Sequence, residues 1–177
     1  MSTYKQSIPQ ADTLMGSMRS MGYSFEAAIA DVIDNSISAN CNVVKLFFPS
    51  EPTDELVVGI LDDGEGMPAD VLFEAMRYGS TDSELERRAN DLGRFGLGMK
   101  SASLSQCRIL TVVSLYADKL SSYSWDFNCI QKRKEWIVKE LSQTEIKSLP
   151  YIDSLLELSH GTLVLWQDFD VLEKSSG

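Results

Sequence analysis

Apolar and polar positions repeat with a helical period in the first part of this chain and with a strand-like period in most of the rest. Phe25, Ala28, Ile29, Val32 and Ile33 fall on the i, i+3, i+4, i+7, i+8 series of a helix buried along one stripe. Ser24 stands where an N-cap hydroxyl is wanted. At about 100° per residue, Ala27, Asp31, Asn35 and Ser38 share the flank beside that stripe. Residues 10–21 read as a helix, and short strands follow at about 42–48 (NVVKLFF) and 55–62 (ELVVGILD). Pro68 suits the first turn of a short helix reaching about residue 78. Another helix is predicted over 97–106, strands at 108–115, 121–128, 134–140 and 161–168, and a helix at 143–158. In SYSWDFN, Tyr123, Trp125 and Phe127 alternate with Ser124, Asp126 and Asn128, the pattern of a strand with one wet face. Successive strands joined by short turns predict a mostly antiparallel, mixed sheet. With helices on one face, that makes an α+β two-layer sandwich.

Composition narrows the function. The 177 residues with 44% hydrophobic content suffice for a single core. Sixteen Lys and Arg against 26 Asp and Glu leave a net charge of −10. So acidic a chain is a poor non-specific binder of nucleic acid, which depends on neutralising phosphates. Any anionic ligand must be held locally by amides, a few basic side chains or a metal. The start, MSTYKQSIPQADTLM, lacks the regions of a signal peptide, and no apolar run approaches a membrane span. Cys41, Cys107 and Cys129 cannot all pair and form no C-x-x-C, which points to reduced thiols and a cytoplasmic protein.

The segment DLGRFGLGMKSAS (91–103) crowds Gly93, Gly96 and Gly98 together just before Lys100 and Ser101. Glycines let backbone amides turn toward an anion, so this is phosphate-binding chemistry. It is not a P-loop, because Met99 occupies the lysine position, and its G-x-x-G-x-G order reverses the dinucleotide fingerprint.

Two other polar groups stand near it in the pattern. Asp31 and Asn35 lie one turn apart on a helix flank, either a solvated face or the edge of a site. DDGEGM at 62–67 ends an apolar strand, so Asp62 sits at a buried edge, although Asp and Gly together also make ordinary turns.

Order and spacing bring these pieces together. DVIDNSISA (31–39), DDGEGM (62–67), GRFGLGMKS (93–101) and the pair Gly161-Thr162 occur in sequence. That series resembles the GHKL ATPases, which include gyrase B, the heat-shock chaperone ATPase, histidine kinases and MutL. The likeness runs from about residue 24 to 169, and its motif style is nearest to the MORC-like ATPases and their bacterial relatives. The resemblance implies the Bergerat-type ATP-binding fold, with ATP and Mg2+ as ligands. The 93–101 segment becomes the glycine box that wraps the phosphates at a helix N-terminus.

Site roles carry over by resemblance. Asn35 is similar to the asparagine that holds Mg2+ through its amide oxygen, a hard neutral ligand. Asp62 matches the aspartate that accepts from the adenine amino group, and an ionised carboxylate can only accept. Thr162 matches the threonine beside it. Gly64 and Gly66 form the turn, while Ala39, Met67 and Leu97 line the base or ribose pocket. Gly93, Arg94, Phe95, Gly96, Gly98, Met99 and Lys100 complete the ATP-binding set. Arg94 and Lys100 are candidates for phosphate contact, or else a pair of solvated charges, and Lys100 stands at the matching lysine position of the MORC and MutL branches.

One departure matters most. The family usually places glutamate one turn before the magnesium asparagine, as general base for water; here that residue is Asp31. It is one methylene shorter, about an ångström of reach, and such a shift costs about 100-fold. Asp31 and Lys100 are thus the catalytic candidates of a slow ATPase, with a non-hydrolysing nucleotide sensor as the alternative. A histidine-kinase-like catalytic domain is a weaker alternative, since His160 is the only histidine and no phospho-acceptor domain is present. RYGSTDSELERRAND (77–91) fits the family's ATP lid, or else a solvated surface loop. The expected organisation is one ATP-binding domain over 1–177, the transducer that supplies a second lysine lying outside it. The resemblance further implies nucleotide-dependent self-association in a full-length protein. It names no client.

Overall fold

The computed structural model describes residues 3–51, 55–77 and 97–169, and of Leu97 and Gly98 only the backbone. Helix α1 (Ala11–Arg19) precedes α2 (Phe25–Ser38), the helix marked by the apolar stripe. Ser24 Oγ accepts from the Ala27 amide at 3.1 Å, as its N-cap position requires. Strands β1 (Val44–Phe47) and β2 (Val58–Asp62) follow, then α3 (Ala69–Met76), with Pro68 at its N-cap, and α4 (Leu97–Gln106). Next come β3 (Ile109–Tyr116), β4 (Lys119–Asp126), α5 (Phe127–Arg133) and β5 (Lys139–Glu140). The last elements are α6 (Gln143–Lys147), α7 (Ile152–Leu156) and β6 (Gly161–Gln167).

The six strands form one sheet in the order β1-β2-β6-β3-β4-β5, and every described pair is antiparallel. Strand alternation sends Val58, Ile60, Leu110, Val112, Trp125, Val164 and Trp166 to one face. There they meet Ala28, Ile29 and Val32 of α2, Leu72 and Met76 of α3, and Met99, Ala102 and Leu104 of α4. This is the expected α+β antiparallel architecture. The opposite face carries more than expected: Leu61, Val113, Leu115, Leu163 and Leu165 pack with Ile146, Ile152 and Leu155 of α6 and α7.

Three element boundaries differ from the sequence pattern. The strand expected over 121–128 stops at Asp126, whose carboxylate accepts from the Cys129 amide at 3.1 Å and so opens α5 instead. Of the wet face expected for β4, Ser124 is buried: with Ser122 it lies on the α6 side of the sheet, and its Oγ accepts from Thr111 Oγ1 at 2.9 Å, whereas Asp126 is half-buried and Asn128 exposed. The helix expected over 143–158 is two short ones, because Pro150 follows the first and Tyr151 adopts φ 60° between them. Of the strand expected at 134–140, only Lys139–Glu140 pairs, with Tyr123 and Ser124 of β4.

Candidate functional site

Three strand ends converge under α2. In the sheet register Asp62 of β2 faces Thr162 of β6, and Thr162 faces Ser114 of β3. All three project to the face covered by α2–α4, and all three are buried. A cavity of about 290 Å³ opens above them. Asn35, Ala39, Asp62, Gly66, Met67, Met99 and Thr162 line it, so most of the sequence-derived set that falls within the described residues shares one wall.

Asp62 forms the polar end. Its Oδ2 accepts from Ser36 Oγ at 2.8 Å and its Oδ1 from the Gly64 amide at 2.9 Å. Burial pushes its carboxyl above the usual carboxylate range, while the Ser36, Gly64 and Thr162 hydrogen bonds pull it back. A charge held this deep needs donors, and Ser36, Gly64 and Thr162 supply three. Ser36 was not among the expected site residues, although it sits in the same DNS triplet as Asn35.

The turn after Asp62 is tight for two separate reasons. A Cβ on Gly64 would lie 2.8 Å from the Ala39 carbonyl and 2.9 Å from Asp62 Oδ1. Gly66 has φ +69°, and a Cβ there would come within 2.3 Å of the Leu115 carbonyl. His160 Nδ1 meets the Gly64 carbonyl at 2.6 Å, behind the turn and away from the cavity-lining set.

On α2, the Asn35 amide nitrogen donates to the Asp31 carbonyl at 2.9 Å. The other branch of that planar amide is its oxygen, the atom a hard cation takes. Asp31 lies one turn earlier, half-buried and outside the cavity wall; burial, with the Asp34 charge second, raises its carboxyl pKa. Among the described residues no three His, Cys, Asp or Glu groups gather to hold a metal. A cation on Asn35 would take the rest of its shell from ligand oxygens and water, a habit of Mg2+. The donor set fits that ion on a phosphate.

Lys100 is placed differently from a solvated charge. Its side chain is 1% exposed, and Nζ donates to the carbonyls of Ala75 at 2.8 Å and of Arg77. Trp125 Nε1 takes the Met76 carbonyl between them at 2.8 Å. Burial brings the Lys100 pKa down to about 8. Gly93, Arg94, Phe95 and Gly96, and the lid-like segment over 78–91, lie outside the described residues. Leu97 and Gly98 open α4, and Met99 reaches the cavity.

Residues 23–162 match the profile of the family described as histidine kinase-, DNA gyrase B-, and HSP90-like ATPases. The chain belongs to this family. The match runs from before α2 to Thr162 and so contains all the cavity-lining strands and helices except the end of β6. No match was found among curated proteins. Family membership makes this an ATPase-type, ATP-binding fold, and no helix among its described residues is long and apolar enough to cross a membrane.

Proposed function

We propose that the cavity above β2 and β6 receives the adenine of ATP, with Asp62 as acceptor for the exocyclic amino group. The observation that carries this is a buried carboxylate at the end of an otherwise largely apolar pocket, held by Ser36, Gly64 and Thr162. It selects a base edge that donates. Guanine presents a carbonyl at that position and is repelled. Met67, Ala39 and Leu97 flank the base and ribose in this reading.

A cavity of about 290 Å³ is too small for a whole nucleoside triphosphate, so the phosphates extend past it toward the start of α4. The family likeness assigns phosphate binding to Gly93, Arg94, Phe95, Gly96, Gly98, Met99 and Lys100, among which glycine amides and the charges of Arg94 and Lys100 are the groups that suit an anion. Contact of Lys100 with a phosphate costs its hydrogen bonds to the Ala75 and Arg77 carbonyls. Mg2+ held by Asn35 would neutralise phosphate charge. Asp31 accepts a proton from attacking water, and its short reach makes hydrolysis slow. Closure of the 77–91 segment on nucleotide then transmits the bound state to a larger protein, inside a reducing cytoplasm. One ATP-binding domain accounts for the whole described chain in this reading.

Titration calorimetry of wild type and Asp62→Asn with ATP and GTP tests the base assignment. Binding of ATP by the wild type, with at least tenfold loss in the variant and weak GTP binding, supports it. Equal affinity for the two nucleotides removes it.

A further inference from the structure

Ser114 is a buried polar residue for which base recognition as described has no use. It sits in β3 between Val113 and Leu115 with no exposed surface. Its Oγ accepts from the Met67 amide at 2.6 Å and donates to the Met67 carbonyl at 3.0 Å. One hydroxyl therefore satisfies both backbone groups of one loop residue. The same loop is pressed onto β3 at Gly66, where the Leu115 carbonyl leaves no room for a Cβ. Two kinds of contact, polar at residue 67 and steric at residue 66, thus seat the segment on one strand.

Register decides what that seating controls. Ser114 faces Thr162, and Thr162 faces Asp62, so the clamp and the acceptor stand two strand spacings apart, about 10 Å, on one face of the sheet. Met67 forms one wall of the cavity whose polar end is Asp62. We propose that Ser114 is a positioning residue for base recognition: by clamping Met67 to β3 it sets the width of the slot between Met67 and the Asp62–Thr162 edge. This rests on reading the cavity as the adenine site. None of the hydrogen bonds holding Asp62 involves Ser114. Loss of the hydroxyl therefore changes the slot without changing the acceptor.

Ser114→Ala removes only the hydroxyl and keeps the strand packing. Its affinities for ATP and for inorganic tripolyphosphate are read by competition against a fluorescent ATP analogue, beside amide hydrogen exchange at Met67 without nucleotide. We expect ATP to weaken about tenfold, tripolyphosphate to hold, and the Met67 amide to exchange faster while other β3-facing amides do not. Gly66→Ala lifts the same segment from the steric side and is expected to give the same ATP-specific loss. Unchanged ATP affinity in Ser114→Ala, or an equal loss for both ligands, overturns the role of Ser114. Asp62→Asn run alongside separates the two levels. If it too leaves ATP affinity unchanged, the adenine-site reading falls; if it weakens ATP while Ser114→Ala does not, only the clamp falls.

Discussion

Ser36 Oγ donates to Asp62 Oδ2 at 2.8 Å, joining the last turn of α2 to the end of β2. The bond opposes the effect of burial, which raises the Asp62 carboxyl pKa. Base recognition needs the ionised form, so ATP affinity must fade as pH drops through that raised pKa, above the 3.8 of an ordinary aspartate. Ser36→Ala removes a hydrogen bond to the charged form and moves the fade to higher pH. ATP affinity followed from about pH 7.5 to 4.5 in both proteins checks this. Superimposable profiles would separate Ser36 from Asp62.

The same carboxylate has an opposite effect on stability. A group whose folded pKa lies above its unfolded one binds more protons when folded, so its contribution is present at low pH and lost as pH rises through the folded value. At neutral pH the buried Asp62 charge therefore costs stability. Asp62→Asn is expected to melt within a few degrees of wild type, or above it, while losing ATP affinity. A large fall in melting temperature would make Asp62 a structural residue first.

Much of this site was legible because it is built from local signals. The α2 stripe, its Ser24 cap and the shared flank of Asp31 and Asn35 follow from helical periodicity alone. Asp62 was visible because a charge follows directly on the apolar run VVGIL, and the glycines after it mark the tight turn. Ser114 was not visible. It reads as one small residue inside an apolar strand, and its partner lies 47 positions away. The α5 helix was missed because the apolar alternation of β4 runs on through Phe127, although Asp126 with a donor three residues later is a cap signature. Lys100 reads in sequence as a phosphate contact or a solvated charge; its burial removes the solvated reading, and nothing local shows that it donates to the carbonyls of Ala75 and Arg77.

That end supplies the next test. The carbonyls of Ala75, Met76 and Arg77 are taken in turn by Lys100, Trp125 and Lys100. A cation at a helix C-terminus is favourable, and a neutral amine still keeps two N–H donors. Lys100→Met strands two carbonyls and is expected to destabilise the fold by about 1–3 kcal/mol. The pH dependence has a definite sign. The folded pKa of about 8 lies below the unfolded 10.5, so the unfolded chain binds more protons between those values. The Lys100 contribution thus rises with pH through that window and is lost as pH falls through about 8. Urea unfolding at pH near 7.5 and near 9.5 is expected to show the gap between wild type and Lys100→Met widening. A constant gap would mean that Lys100 is not desolvated in solution.

Asn35 offers one amide oxygen, and among the described residues no three His, Cys, Asp or Glu groups gather to hold a metal, so affinity for Mg2+ alone is expected to be low and to appear only with nucleotide. Asn35→Ala should then abolish the metal dependence of ATP binding while ATP itself still binds. Tight Mg2+ binding by the wild type without nucleotide would point to ligands other than Asn35.

Asp31 decides whether the domain turns over ATP or only senses it. Its carboxyl stands one helical turn before Asn35, outside the cavity wall, and its pKa is raised by burial and by Asp34. The direction suits a general base, whose pKa works best near the operating pH, but geometry comes first: the group must reach a water lined up on the terminal phosphate. A glutamate at this position restores about an ångström of reach, and misplacement on that scale is worth about 100-fold in rate. Asp31→Glu is therefore expected to raise single-turnover hydrolysis, and Asp31→Asn to abolish it while ATP still binds. Calorimetry on the same samples keeps binding apart from chemistry. If Asp31→Asn hydrolyses ATP as fast as wild type, Asp31 is not the base. If wild type and Asp31→Asn bind ATP equally and neither hydrolyses it, the bound nucleotide itself is the signal, and the chain acts as a sensor.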